Sequence, residues 1–295
     1  MAERGRTLIG RQDLLRPTVK IGYALMIAVL VVVVIATLFP LVWVVLSSVK
    51  SSAEIFRVPP TIWPEKFQWG TYFNVWTKFN FSRYFKNTIV LTAGIWLVQM
   101  TVTTLAAYSL SKLKPPGYRL ILFGFLAALM VPGLAMMIPK YVILKKLPIF
   151  GWNLLDSYWA FWLPAGANAF HILLLKTFFD GIPDDLIDAA TIDGASELRT
   201  FAQIVLPLSK PILATLTIFV FFGVWNDFMW PYIVITTTEK QPLMVAIYNS
   251  VFKSAVFAQN DIMAAITIAI LPPIAVFFAL QQHITRGITL TGLKG

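Results

Sequence analysis

Residues 184–211 read DDLIDAATIDGASELRTFAQIVLPLSKP, with five acids, two bases and a glycine. The stretch has the composition of soluble protein, yet it lies between two apolar segments. No charge falls between Asp156 and Lys176, and after Lys210 only Asp227 interrupts an apolar run to Thr238. Pro183 suits the first turn of a helix, because its missing N–H has no partner there in any case. Asp184 and Asp185 follow where the helix dipole favours anions. Leu186, Ala189 and Ala190 fall at i, i+3 and i+4, as an apolar stripe opposite Asp184, Asp188 and Thr191. Gly194 can end that helix in the left-handed conformation. Ser196 is a good N-cap for a second helix with Leu198, Phe201, Ala202 and Val205 on one face. Pro207 and Pro211 flank the exit. The spacing predicts helix, glycine turn, helix. The first helix, at about 15 Å, is too short for a core element and sized to seat in a groove on another protein.

Outward from that hairpin, the chain is 58% hydrophobic and 13% charged, with a mean hydropathy of +0.73, which excludes an ordinary soluble domain. Charge-free windows between Lys20 and Lys50, Lys86 and Lys112, Arg119 and Lys140, Asp156 and Lys176, and Asp261 and Arg286 are each long enough to cross a bilayer. With the run after Lys210 they predict six spans, near 21–47, 88–111, 119–141, 157–179, 208–235 and 262–284. The expected fold is an all-α integral membrane protein of six transmembrane helices, with the hairpin between the fourth and fifth. The charge-free stretch 241–252 is too short to span and reads as an interfacial or loop segment. Trp63, Trp69, Tyr72, Phe73, Trp76, Phe79, Phe81, Tyr84 and Phe85 crowd the connection 48–87, which predicts a short surface helix at the membrane–water interface.

An even number of spans puts both termini on one side, and the basic N-terminal arm favours the cytoplasm. The 24 Lys and Arg then split almost evenly, so the positive-inside rule discriminates little. The outer loops hold eleven bases against five acids, Glu54, Glu65, Asp156, Glu239 and Asp261. Such a surface attracts an anionic solute or an acidic partner, or anchors to lipid headgroups. The expected organisation is an arm 1–20, a first span with its aromatic loop 21–86, a core 87–285 holding the loop 183–211, and a tail 286–295. The first span is too long and too far from the N-terminus to read as a cleaved signal peptide.

Catalytic patterns are weak. DDLID fits the DDxxD pattern that holds a magnesium-bound diphosphate, but its nearest counterpart, NDFMW at 226–230, has Trp230 where an acid is required. Asp227 also lies about 25 Å along the fifth span from Lys210, towards the opposite membrane face. His171 and His283 show no metal-ligand spacing, and zero cysteines exclude disulfides and thiolate metal sites. The chain lacks GxxxxGK[ST], so any ATP hydrolysis belongs to another polypeptide.

The hairpin resembles the EAA loop of binding-protein-dependent ABC importers. Its matching residues are Asp188-Ala189-Ala190, Asp193-Gly194-Ala195, Phe201, Ile204, Leu206-Pro207-Leu208 and Pro211. With Trp225-Asn226-Asp227 and the terminal Gly292-Leu293-Lys294-Gly295, the chain from about residue 87 is similar to MalG-like permease subunits of carbohydrate importers. Asp188 replaces the usual glutamate with an acid one methylene shorter. The resemblance implies a bacterial inner-membrane protein that hydrolyses nothing itself. Its loop helix would be a coupling helix seated in an ATPase subunit, and Gly292, Lys294 and Gly295 would make a second ATPase contact. It implies a second, related permease subunit, two ATPase subunits carrying ATP and Mg, and an extracytoplasmic solute-binding protein. No cofactor is implied in this chain. The substrate class is saccharides, and the basic outer loops tilt that expectation towards an anionic one, such as an oligouronate or a sugar or glycerol phosphate. The competing class is a secondary transporter or intramembrane enzyme without an ATPase.

Pathway candidates are Asn168, His171, Trp225, Asn226 and Asp227. Trp225, like Trp230, offers a ring for stacking on a sugar. Each candidate has a plainer reading: an interhelical hydrogen bond for Asn168 and His171, an interfacial belt for Trp225 and Trp230, and repair of the helix break made by Pro231 for Asn226 and Asp227.

Overall fold

The computed structural model describes residues 17–253 and 257–291, with side chains to residue 281. All regular structure among them is helical, and the chain divides into two units, Met1–Tyr72 with Ala258–Thr267, and Phe73–Phe257 with Ile268–Gly295.

The first unit is dominated by α1 (Pro17–Ser48), whose apolar window buries none of its residues. Ile21, Leu25, Val29, Val32 and Ile35 are all bare, as lipid-facing residues are. Buried polar groups order the loop that follows. The Lys50 ammonium donates to the Thr61 carbonyl and lies 4.8 Å from the Trp43 ring centroid. Ser51 caps α2 (Ser52–Ile55), and the buried Glu54 accepts from Thr61 Oγ1 at 2.8 Å and from the Glu65 N–H at 3.0 Å. Asn260, at the start of the last helix, accepts from Ser52 Oγ at 3.0 Å and donates to Thr71 Oγ1 at 3.2 Å. The short helix expected in the aromatic connection is α3 (Gly70–Lys78), with Phe73 and Trp76 exposed.

In the second unit α4 (Phe81–Tyr108) continues through a π-helical turn (Ser109–Leu113) and packs against the helices of the expected fourth and fifth spans. The third, fourth and fifth spans, expected as single helices, are each broken. The third is α5 (Tyr118–Leu129), a turn containing Pro132 and Gly133, and α6 (Met137–Lys145). The fourth is α7 (Trp159–Ala165) and α8 (Ala169–Asp180), parted after Pro164. A Cβ on Gly94 would lie 2.2 Å from Trp162 Nε1, so only glycine lets α4 approach α7 this closely. After the hairpin helices α9 (Asp184–Ile192), α10 (Glu197–Thr200) and α11 (Leu206–Leu208), the chain bends by 78° at Ser209 into α12 (Lys210–Asn226). A second break at Asp227 leads to α13 (Met229–Val234), where Pro231 cannot donate to the helix ladder. Among the described residues three helices, the first, second and last of the expected spans, are long and apolar enough by length and composition to cross a membrane, or four if the bent pair is one span.

Segment 241–252 differs from expectation. It forms α14 (Leu243–Ile247) and a π-helical turn to Phe252, with Leu243, Val245, Ala246 and Val251 fully buried. The Leu243 N–H donates to Thr88 Oγ1 of α4 at 2.8 Å, so tertiary packing rather than length makes it a core element. The last helix is α15 (Gln259–Thr291).

Candidate functional site

Two assemblies flank α4. At its C-terminal end sits the hairpin. Pro183 lies just ahead of α9 rather than in its first turn, with φ −56° and ψ 130°. Gly194 adopts φ +78°, and the helix closes with Ala195 N–H donating to the Ala190 carbonyl at 2.9 Å and Gly194 N–H to that of Thr191 at 3.0 Å. Ser196 caps α10. The following π-helical turn, Phe201–Val205, adds a residue to the register and splits the face predicted for the second limb. Phe201 and Val205 are buried, while Leu198 is 72% exposed and Ala202 also faces out. The stripe predicted on α9 splits likewise, with Ala190 buried and Leu186 and Ala189 exposed.

The inner face of the hairpin is fixed. Phe201 packs 5.1 Å from the Tyr108 ring, and both join Leu175, Phe179, Val205 and Leu216 in one core cluster. Tyr108 Oη donates to Glu197 at 2.9 Å. Lys112, with its side chain only 6% exposed, donates to the Ile182 carbonyl and to Asp184 Oδ1, both at 2.6 Å. The hydrogen bond and charge of Lys112 hold the Asp184 carboxyl below its ordinary range, and the first acid of DDLID serves an ion pair. Ser111 adds a bond to Asp180 at 2.6 Å. The outer face carries Asp185, Leu186, Asp188, Ala189, Ile192, Asp193 and Leu198, all exposed.

Further along α4 a cavity of about 370 Å³ opens between Leu91, Ile95 and Gln99 on α4, the break between α7 and α8, and the break after α12. Asn168, His171 and Asp227 all line it, as do Lys140 and Trp230. Among the described residues Asn168 makes no interhelical bond. Its Oδ1 accepts from the His171 N–H at 3.0 Å and caps α8. The interhelical bond belongs to His171, whose Nδ1 lies 2.5 Å from the Gln99 side-chain amide. Asp227 Oδ1 accepts from the Trp230 N–H at 3.3 Å, across the break. Trp225 lies outside the cavity lining. Its ring stacks on Phe221 at 5.3 Å and its Nε1 donates to the Ala269 carbonyl at 3.1 Å, which ties α12 to α15. Asn226 also lies outside the lining and bonds back to the Phe222 carbonyl at 3.0 Å. Gly292, Lys294 and Gly295 fall outside the described residues.

Sequence reasoning missed Lys112, Tyr108, Gln99 and Lys140. Lys112 and Lys140 were visible only as the charges that close two apolar windows, and nothing in their spacing distinguishes them from boundary lysines.

Residues 99–290 match the family described as binding-protein-dependent transport system inner membrane component. Protein LplC of Bacillus subtilis is 34% identical over 88% of this chain and 90% of its own length. The diacetylchitobiose uptake system permease protein NgcG of Streptomyces coelicolor is 32% identical over 91% and 87%. The sn-glycerol-3-phosphate transport system permease protein UgpE of Pectobacterium atrosepticum is 30% identical over 88% and 93%. In fold the chain is similar to a solved bacterial ABC transporter chain involved in the import of the acidic polysaccharide alginate, with a TM-score of 0.81 at 24% identity over 94% of this chain and 99% of that one. The chain therefore belongs to the inner membrane components of binding-protein-dependent transport systems.

Proposed function

We propose that this chain is the permease subunit of an ATP-driven importer of saccharides, and that its hairpin is the coupling helix through which ATPase subunits move the spans. The observation that carries this reading is the two-sidedness of the hairpin. Phe201 and the pairs Tyr108–Glu197 and Lys112–Asp184 lock its inner face to α4, while Leu186, Ile192 and Leu198 leave apolar groups bare on the outer one. A helical hairpin held this way moves as a rigid body, where a flexible loop would absorb the push. Asp188, Ala189, Ala190, Asp193, Gly194 and Ala195 shape the docking helix, and Phe201 is its pin. Gly292, Lys294 and Gly295 supply a second ATPase contact.

The system is completed by a second permease subunit, two ATPase subunits binding ATP and Mg, and an extracytoplasmic binding protein. Hydrolysis lies in the ATPase subunits. The basic N-terminal arm supports a six-span arrangement with both termini and the hairpin in the cytoplasm. The names of NgcG and UgpE support a saccharide or polyol phosphate as solute. The surplus of bases in the outer loops supports an anionic one. Asn168, His171 and Asp227 line its path.

Reconstitution of the complete transporter in proteoliposomes tests the assignment. Uptake should require ATP inside, the binding protein outside and the ATPase pair, and should survive collapse of ion gradients. Uptake that persists without the ATPase would establish a secondary transporter instead.

A further inference from the structure

Lys140 is the one chemically costly residue in the cavity that no structural role absorbs. It stands on α6, just past the break in the third span, and is half-buried. Among the described residues it forms no ion pair and its ammonium donates no hydrogen bond to a side chain or carbonyl. Its Nζ lies over the Trp230 ring, 4.2 Å from the centroid, and Asp227 lines the same cavity. A half-buried cation without an ion-pair partner is expensive to keep, and one that lines a cavity is placed to meet an anionic solute. Trp230 adds a second unmet demand, since its Nε1–H is buried without an acceptor. Asp227, by contrast, turns one carboxylate oxygen to the Trp230 N–H.

These three residues line both the 370 Å³ cavity and a second one of about 250 Å³ that contains Gly133 and Met137. They therefore stand where the two cavities adjoin. We infer that Lys140, Asp227 and Trp230 form a subsite for one anionic sugar unit. The solute's carboxylate or phosphate pairs with Lys140, a hydroxyl donates to the free oxygen of Asp227, and a ring or hydroxyl oxygen accepts from Trp230 Nε1. Charge on the solute supplies what Lys140 lacks, and polyol hydroxyls distinguish it from a simple anion, which Asp227 repels. This inference rests on the importer reading and on its anionic solute.

The test compares uptake of a uronic-acid trisaccharide with that of the same trisaccharide reduced at its carboxyls, using the complete transporter with its binding protein. A sugar phosphate in a parallel arm separates phosphate from carboxylate. For whichever anion the wild type prefers, Lys140→Gln should lower the anionic-to-neutral uptake ratio about tenfold, while Lys140→Arg keeps it within about twofold. Because the chain has no native cysteine, Lys140→Cys gives a second reading. An aqueous thiol reagent should label it, and the preferred anion, not its neutral counterpart, should slow the labelling. An unchanged ratio in Lys140→Gln, or anionic and neutral uptake falling together, overturns the subsite while leaving the importer intact. A wild type that prefers the neutral sugar removes the anionic reading itself, and the subsite with it.

Discussion

At one end of α4, Tyr108 and Lys112 grip a hairpin whose outer surface carries bare apolar side chains. Nearer its other end, Leu91, Ile95 and Gln99 help line a cavity whose remaining wall comes from helix breaks. The hairpin is specified by backbone geometry and by bonds that point inwards. The cavity is specified by polar side chains that cap broken helices and point across a gap. The helix that grips the hairpin also borders the cavity, so one element joins the two. The difference teaches that these regions should fail differently. Damage to the hairpin should separate hydrolysis from transport, and damage to the cavity should change what is transported.

The largest effect is expected at Gly194. Its φ of +78° is strained for any side chain, and a β-branched one is a genuine outlier there. Nothing lies within 4 Å of a Cβ built on it, so within this chain the penalty is conformational and not steric. Gly194→Val should cut uptake by about a hundredfold or more while the chain still reaches the membrane, since the strain of about 1–3 kcal/mol falls on the turn alone. Gly194→Asn should keep most of the activity, because asparagine tolerates the left-handed region. If valine transports like wild type, the turn does not set the coupling geometry.

A tenfold effect is expected at Lys112. Lys112→Met keeps the length of the side chain but leaves the Ile182 carbonyl and Asp184 without their partner. The hairpin should then yield when pushed. Uptake per ATP hydrolysed should fall about tenfold with little change in hydrolysis itself, as losing a charge-assisted hydrogen bond of about 1.5–3 kcal/mol permits. Equal losses in both rates would mean that Lys112 supports folding rather than coupling.

Lys112 also shows where the sequence stops being legible. Charge-free windows located every apolar region, because the cost of burying charge in hydrocarbon is local and independent of contacts. The hairpin was legible for the same kind of reason, since Pro183 and Gly194 act through their own backbone and Ser196 through a cap three residues away. The π-helical turn at Phe201–Val205 carries no such residue, so Leu198 and Ala202 were assigned to the wrong face. The breaks in the third, fourth and fifth spans left the apolar composition unchanged, and their glycines and prolines are too common in membrane helices to announce a break. Of the pathway candidates, Asn168, His171 and Asp227 meet at one cavity because all stand at helix breaks or one turn beyond. Trp225 stands on α12 just before the break, and its bond to Ala269 and its place outside the lining separate it in role from Trp230 on α13.

The smallest effect tests the far side of the comparison, where the loop after α6 meets the loop after α13. Asp156, itself at φ +56°, accepts from the Thr236 N–H at 2.9 Å, the Thr237 N–H at 2.8 Å, the Thr237 hydroxyl at 2.5 Å and Lys240 Nζ at 3.0 Å. Partial burial acts to raise its pKa, but the hydrogen bonds from Thr237, Lys240 and Thr236 outweigh it and hold the carboxyl well below the ordinary range. A depressed carboxylate contributes stability that is complete above its unfolded pKa, about 3.9, and is lost as pH falls from there towards the folded value. Asp156→Asn should lower the melting temperature of the detergent-solubilised chain by a few degrees at pH 7, as expected for about 1–2 kcal/mol. It should also flatten that chain's loss of stability below about pH 4. Uptake per ATP should stay unchanged, since the staple touches neither hairpin nor cavity. A loss of coupling in Asp156→Asn would show that the outer loops carry the stroke as well, and the division of labour between hairpin and cavity would have to include them.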